Sequence, residues 1–239
     1  MAALGHMGRC LADLLLPRAC LVCGRPLGSR EEHLCLYCAA DIPFTYDWLR
    51  VHNGTARRFN ATVTLRHPDV FTPYVQAAAL LYYSGEYQAI PKALKYHANL
   101  AAGRYFARML GERLAARPEW ADVDLVVPVP LHWTRRWQRG YNQAEVLARE
   151  LAACLGARCA PGMLSRSGRT RTQTRLDAEG RLRNVSGAFR LRQALPARHL
   201  LLVDDTLTTG ATLCACRDVV LNGPCPPQKL SVATLAAVP

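Results

Sequence analysis

Two adjacent carboxylates, Asp204 and Asp205, follow the apolar run 200–203 and precede a stretch rich in hydroxyl groups and glycine, Thr206-Leu207-Thr208-Thr209-Gly210-Ala211-Thr212. An apolar run of strand length would carry the acids to the carboxyl edge of an open sheet, where α/β proteins bind ligands. Paired carboxylates there suit the 2- and 3-hydroxyls of a ribose as hydrogen-bond acceptors, with magnesium nearby. Residues 206–210 then turn into a helix whose first free N–H groups, at Ala211 and Thr212, and positive dipole end favour a phosphate dianion. Thr206, Thr208, Thr209 and Thr212 add hydroxyl donors, and Gly210 allows close backbone approach. An ordinary strand-to-helix connection requires none of this chemistry. The loop lacks the Gly-Lys-Ser/Thr of a Walker motif and the spacing of a dinucleotide fingerprint. It therefore points to a phosphorylated ribose.

Two further segments suit the rest of such a ligand. Residues 129–132 leave an apolar run at 124–129, and Pro130 and Leu131 lead into Arg135, Arg136, Arg139 and Gly140. Guanidinium groups and backbone N–H there would hold a pyrophosphate. Residues 165–183 are polar, aperiodic and too long for an idle connection. They carry Arg166, Arg169, Arg171, Arg175, Arg181 and Arg183 against only Asp177 and Glu179. This segment reads as a lid over an anionic ligand or as a basic loop for nucleic acid. Together the three segments specify phosphoribosyl pyrophosphate (PRPP) with magnesium. His132 stands where a general base could sit, or serves structure. Trp133, Trp137 and Tyr141, interleaved with arginines, would either stack on bases or pack the loop.

A second chemistry lies near the start of the chain. Four of the ten cysteines form two C-x2-C knuckles, Cys20 with Cys23 and Cys35 with Cys38. This spacing suits tetrahedral zinc, closed to substrate, so the ion would fold a small ribbon or present it to a partner. His33 lies near the second knuckle and reads as a surface residue. The remaining cysteines show no ligand spacing and suit a core.

The elements follow from these needs. The run 124–129 is a buried parallel strand. Asn142 caps a helix running to Leu155, with Glu145 at the capping-box position and Leu147, Leu151 and Leu155 on one face. Strands are expected at 78–83 and 199–203, a further short strand within 157–164, and a closing strand at 229–238. Helical stretches are expected at 87–96, 98–114 and 211–221. Residues 51–73 read as a connector with short extended pieces. Alternating strands and helices imply a parallel α/β sheet. A formal charge of +12, almost wholly from arginine, calls for anionic partners. No run approaches the roughly 18 apolar residues of a membrane span. We read the chain as soluble and cytoplasmic, without membrane insertion.

The ordered series VPVPLHWTRRWQRGYNQAEVLA, RTRTQTRLDAEGRLRNVSGAF and LLVDDTLTTGAT, with KALKY at 92–96 and the paired-cysteine ribbon, resembles the ComF family of competence-associated phosphoribosyltransferase-like proteins. The resemblance implies a type I phosphoribosyltransferase fold, a parallel sheet flanked by helices, with a small N-terminal zinc ribbon held by four cysteines. Residues 1–50 would form the ribbon and 51–239 the main domain, with 51–118 available for a hood over the acceptor. It also implies that Arg169, Gln173 and Arg181 belong to a flexible loop acting on pyrophosphate, with Leu176 and Asn184 at signature positions. Thr206 departs from the family's usual aliphatic residue, and the Gly223-Pro-Cys-Pro-Pro turn from its simpler one. The family is associated with natural transformation, which brings single-stranded DNA and a competence helicase into view as partners. Both a PRPP-binding module and an active transferase, with Asp204 and Asp205 beside the reacting sugar, remain open, and no acceptor is announced.

Overall fold

The computed structural model describes residues 18–166 and 187–239. Its strands are Gln76–Tyr82 (β1), Leu125–Pro128 (β2), Arg158–Cys159 (β3), Leu164–Arg166 (β4), Phe189–Leu191 (β5), His199–Leu207 (β6) and Lys229–Ala237 (β7). Five are parallel in the order β1-β7-β6-β2-β3, while β4 and β5 form a separate antiparallel pair. The helices are Leu36–Ala40 (α1), Gly54–Arg66 (α2), Ala89–Tyr96 (α3), Leu100–Ala115 (α4), Trp133–Arg139 (α5), Gln143–Leu155 (α6) and Ala211–Leu221 (α7).

The apolar runs of the central strands are continuous because both faces are covered. Ala78, Leu80, Leu201, Val203 and Ala233 face Phe106 and Leu110 of α4 and Leu147 and Leu151 of α6. Ala77, Ala79, Leu200, Leu202 and Val232 face Phe59 and Val63 of α2 and Leu213 and Cys216 of α7. The expected closing strand is interior: β7 lies between β6 and β1, which leaves β1 at the edge.

That edge is sealed by the chain leaving the ribbon. Tyr82 N–H donates to the Pro43 carbonyl at 2.9 Å and Thr45 N–H to that of Leu80 at 3.2 Å. Asp47 accepts from Ala79 N–H at 3.2 Å, and the Asn53 amide donates to the Ala77 carbonyl at 2.8 Å. An irregular strap thus occupies groups that a bare edge strand would offer to another chain.

Two expectations are corrected. Residues 51–73 are not an extended connector, since α2 begins after Asn53, whose side chain accepts from Ala56 N–H at 2.7 Å as an N-cap. Within residues 51–118, α2, β1 and α4 belong to the layers, and α3 with its flanking residues lines the cavity at the carboxyl edge. Asn142 does cap α6, accepting from Ala144 N–H, but Glu145 completes no capping box because its carboxylate holds Arg149 at 2.7 Å.

Candidate functional site

β6 carries its acids further than the sequence implies. Pairing with β7 continues through Thr206 opposite Ala236 and Leu207 opposite Ala237, so the turn shrinks to Thr208, Thr209 and Gly210 before α7 begins. Gly210 has φ +77°, a left-handed conformation that favours glycine. Its close approach is to α2, where an added Cβ would lie 3.3 Å from the Phe59 ring. The Thr62 hydroxyl donates to the Thr209 carbonyl, and Thr209 Oγ1 accepts from Ala211 N–H at 3.4 Å. Thr209, Gly210 and Ala211 therefore build the turn, while Thr206, Thr208 and Thr212 face a cavity of about 330 Å³. The first three N–H groups of α7 have no carbonyl within the helix to meet.

Asp204 and Asp205 both line this cavity. Asp205 N–H donates to Asp204 Oδ1 at 2.8 Å, and Lys95 Nζ of α3 lies 3.2 Å from Asp205 Oδ2. Burial, and then the charge of Asp205, raise the Asp204 carboxyl to about 7, against the opposing pull of Asp205 N–H, Lys95 and Arg166. Near neutral pH, Asp204 is thus poised between its acid and carboxylate forms.

Beside the two acids, more of the lining comes from the ends of β2 and β4. Val129, Pro130 and Leu131 line the cavity with Arg135 and Arg139, which are one helical turn apart on α5. Arg136 points elsewhere, 3.9 Å from Glu145, and lines a separate cavity of about 300 Å³ with Arg104 and Arg149. The Arg139 guanidinium lies over the Tyr96 ring at 5.5 Å, and that of Arg166 over Phe189 at 5.4 Å. Burial and the nearby charge of Arg135 push the Arg166 pKa down. Arg139 Nη1, Arg166 Nε and Gln143 Nε2 are buried and have no hydrogen-bond partner among the described residues. All three are donors on cavity-lining residues. Buried donors left unpaired are costly, so three of them on residues lining one cavity suit it to acceptor oxygens.

Other candidates resolve individually. His132 caps α5, with Nδ1 2.7 Å from Thr134 Oγ1 and 3.3 Å from its N–H, so the structural option holds. Trp133 and Trp137 are 67% and 85% exposed, and the Trp133 ring lies 5.9 Å from that of His132. Arg169, Gln173 and Arg181 lie outside the described residues. Sequence reasoning missed Lys95 and Gln143 as cavity residues; KALKY was the only signal for the former, and its chemistry was silent.

In the ribbon, the four sulfurs of Cys20, Cys23, Cys35 and Cys38 lie within 4.8 Å of one another, Cys23 and Cys35 at 3.7 Å. Zinc–sulfur bonds of about 2.3 Å in a tetrahedron place sulfurs about 3.8 Å apart, so the set fits a structural zinc ion. Burial raises Cys20, but N–H groups of Cys23, Cys35 and Val22 outweigh it and bring the thiol down to about 6. Burial and the neighbouring thiols push Cys38 up. His33 is no surface residue: its ring packs on Tyr105 at 5.1 Å and it is half-buried. A second cluster, His67, Cys214 and Asp218, also brings ligand atoms within 4.8 Å. There Arg66 and Arg217 already hold Asp218, at 2.6 and 3.0 Å, and oppose a cation. Among the described residues, no helix is long and apolar enough to cross a membrane.

Residues 11–48 match the family described as Double zinc ribbon domain. Their described cysteines form one cluster of four. DNA utilization protein YhgH of Salmonella typhimurium is 28% identical over 212 residues, covering 87% of this chain and 93% of that protein. YhgH of Escherichia coli is 38% identical over 99 residues, 41% of this chain and 44% of the relative. Competence protein F of Haemophilus influenzae is 40% identical over 93 residues, 38% of this chain and 41% of its own length.

Proposed function

Since the chain belongs to the ComF family, we propose that its cavity at the carboxyl edge of the sheet binds PRPP and that this binding serves competence and DNA utilization, in the handling of imported single-stranded DNA in the cytoplasm. The observation that carries the reading is the division of the cavity. Two acids stand on one wall, and the unpaired donors Arg139, Arg166 and Gln143 line the rest. PRPP presents a matching division, hydroxyl donors on its ribose and acceptor oxygens on its phosphates.

In this reading Asp204 and Asp205 accept from the ribose hydroxyls. The first turn of α7, with Thr206, Thr208 and Thr212, takes the 5-phosphate. The backbone of Pro130 and Leu131, with Arg135, Arg139 and Arg166, takes the diphosphate, joined by Arg169, Gln173 and Arg181. Magnesium bound with the diphosphate would supply charge neutralisation there. Residues 1–50 form a zinc ribbon that docks a partner such as a competence helicase, and 51–239 form the ligand domain.

Calorimetric titration with PRPP and magnesium tests the reading. Asp204 must give up its proton to serve as a full acceptor, so affinity rises between pH 6 and pH 8, by up to about tenfold if one proton is released. No saturable binding at either pH would reject PRPP as the ligand.

The exposed pair Trp133 and Trp137, at helical spacing on the arginine-rich α5, supports direct contact with single strands, aromatic faces stacking on bases and guanidinium groups meeting phosphates. Oligothymidylate is then expected to quench tryptophan fluorescence at low salt and lose its hold as salt rises. Unchanged fluorescence at low salt would remove the DNA contact.

A further inference from the structure

The cover of the cavity has a one-sided chemistry. α3 presents Lys92 and Lys95 almost one turn apart, and both line the cavity. Lys95 is tied to Asp205, whereas Lys92 Nζ meets the neutral Gln88 side chain at 3.0 Å and no carboxylate in the described structure. Tyr83 and Tyr96 line the same space, and the Arg139 guanidinium lies over the second ring. Below, Gln143 is 2% exposed and its Nε2 is unpaired. The neighbouring Asn142 has nothing comparable to offer: its amide nitrogen donates to the Val129 carbonyl at 3.0 Å, and its oxygen accepts from Ala144 N–H at 3.2 Å.

Asp204 and Asp205 are the only side-chain carboxylates lining the cavity among the described residues, and the reading above commits both to the ribose. What remains is a cation, an amide donor and aromatic surface. A neutral base that presents N–H groups needs acceptors facing it, and burying those groups unpaired is costly. A ring that presents anionic oxygens meets donors on every side, and an ammonium or amide bonded to carboxylate is stronger than its neutral counterpart.

Resting on the PRPP reading, we propose that the site is a transferase whose acceptor is a flat nitrogen heterocycle bearing a carboxylate, held by Lys92 and Gln143 against the tyrosine rings. The ring nitrogen's lone pair, with any N–H proton given up to solvent, forms the bond to C1 of the ribose as the bond from C1 to the diphosphate oxygen breaks. The diphosphate leaves with that electron pair. Positive charge developing on the sugar lies beside the acids of β6, and charge on the diphosphate beside Arg135, Arg139 and Arg166. No redox partner is required.

Matched acceptors that differ only in the carboxylate provide the test. Full-length, zinc-loaded protein is first titrated with PRPP and magnesium. It is then titrated, so loaded, with orotate against uracil and nicotinate against nicotinamide, and pyrophosphate release is followed in parallel. The expected result is that at least one carboxylated ring of the two pairs binds roughly tenfold more tightly than its neutral partner and alone releases pyrophosphate. In Lys92→Met and Lys92→Glu the ratio falls to about one. Equal affinities within both pairs, a neutral ring bound more tightly, or a ratio untouched by both substitutions would overturn the inference while PRPP binding stands. So would Lys92 proving necessary for oligothymidylate and for neither carboxylate. Absence of PRPP binding in the first titration would remove the premise itself, and the inference with it.

Discussion

β6 carries ionisable groups near both of its ends, and they meet opposite fates. At its amino end, His199 is fully buried, with Nδ1 2.6 Å from Asp122 Oδ1 and Nε2 2.7 Å from Ser231 Oγ. Lys229 joins Asp122 at 3.3 Å, and Asp124 accepts from the N–H groups of Arg198 and His199 at 3.0 and 3.1 Å. The connectivity is that of a serine–histidine–aspartate triad, yet Ser231 and His199 are both 0% exposed and admit no substrate. At the carboxyl end, Asp204 and Asp205 repel each other and nearby donors lack partners. Residue types alone would rank the first cluster as the more catalytic. Hydrogen-bond satisfaction reverses the ranking: a closed network holds the fold, and an incomplete one awaits a ligand.

The largest expected effect falls on another closed polar centre, the ribbon. Cys20, Leu34, Cys35 and Trp48 share a core with Phe106 and Leu110, so the zinc site supports more than its own knuckles. Stripping zinc with a chelator, or replacing Cys35 by Ser, should destabilise the chain by several kcal/mol, read as a lower melting temperature with the ribbon and the α4 face lost together. Melting of the main domain unchanged by chelation would separate the ribbon from the fold.

His199→Ala comes next. It removes a buried ring and orphans Ser231, and about 2–4 kcal/mol of stability should disappear in urea denaturation while PRPP affinity of the folded protein holds. A loss of affinity with stability intact would make the amino end functional and break the comparison.

The two ends should also respond to pH with opposite signs. Burial, the largest influence, lowers the His199 pKa from 6.5 despite Asp122, so the unfolded chain takes up the proton first. Its contribution is present above about pH 6.5 and is lost as pH falls. Asp204 is raised from 3.8 to about 7, so the folded chain keeps its proton longer. Its contribution is full below about pH 4 and is lost as pH rises towards 7. Denaturation of wild type, His199→Asn and Asp204→Asn from pH 4 to 8 should show the acid-side loss diminished in the first variant and the alkaline-side loss in the second. Identical pH profiles in all three would refute both assignments.

Much of this contrast was legible in the sequence where local chemistry and periodicity agree. The acids, the threonine turn, the α7 boundaries and the two cysteine knuckles follow from composition and spacing. What escaped depended on the third dimension. α2 was missed because threonines stand in its buried stripe: Thr55 and Thr62 beside Ala56, Phe59 and Val63 blur the helical period. Arg135, Arg136 and Arg139 look alike in a string, but helical rotation sends the middle one to Glu145 and only the outer two to the cavity. Lys95 reaches Asp205 across more than a hundred residues, a pairing that no local pattern encodes. The extension of β6 to Leu207 likewise depends on β7, whose pairing outlasts the local turn signal.

The sharpest test of the account is a pair of melting curves for wild type and Asp204→Asn at pH 8, each with and without PRPP and magnesium. Removing one of two repelling carboxylates should make the unliganded variant more stable than wild type by about 1–3 kcal/mol. PRPP should raise the melting temperature of wild type and leave the variant's unmoved. A variant that melts below wild type and is still stabilised by PRPP would contradict the claim that the unsatisfied carboxyl end of β6 is the ligand site.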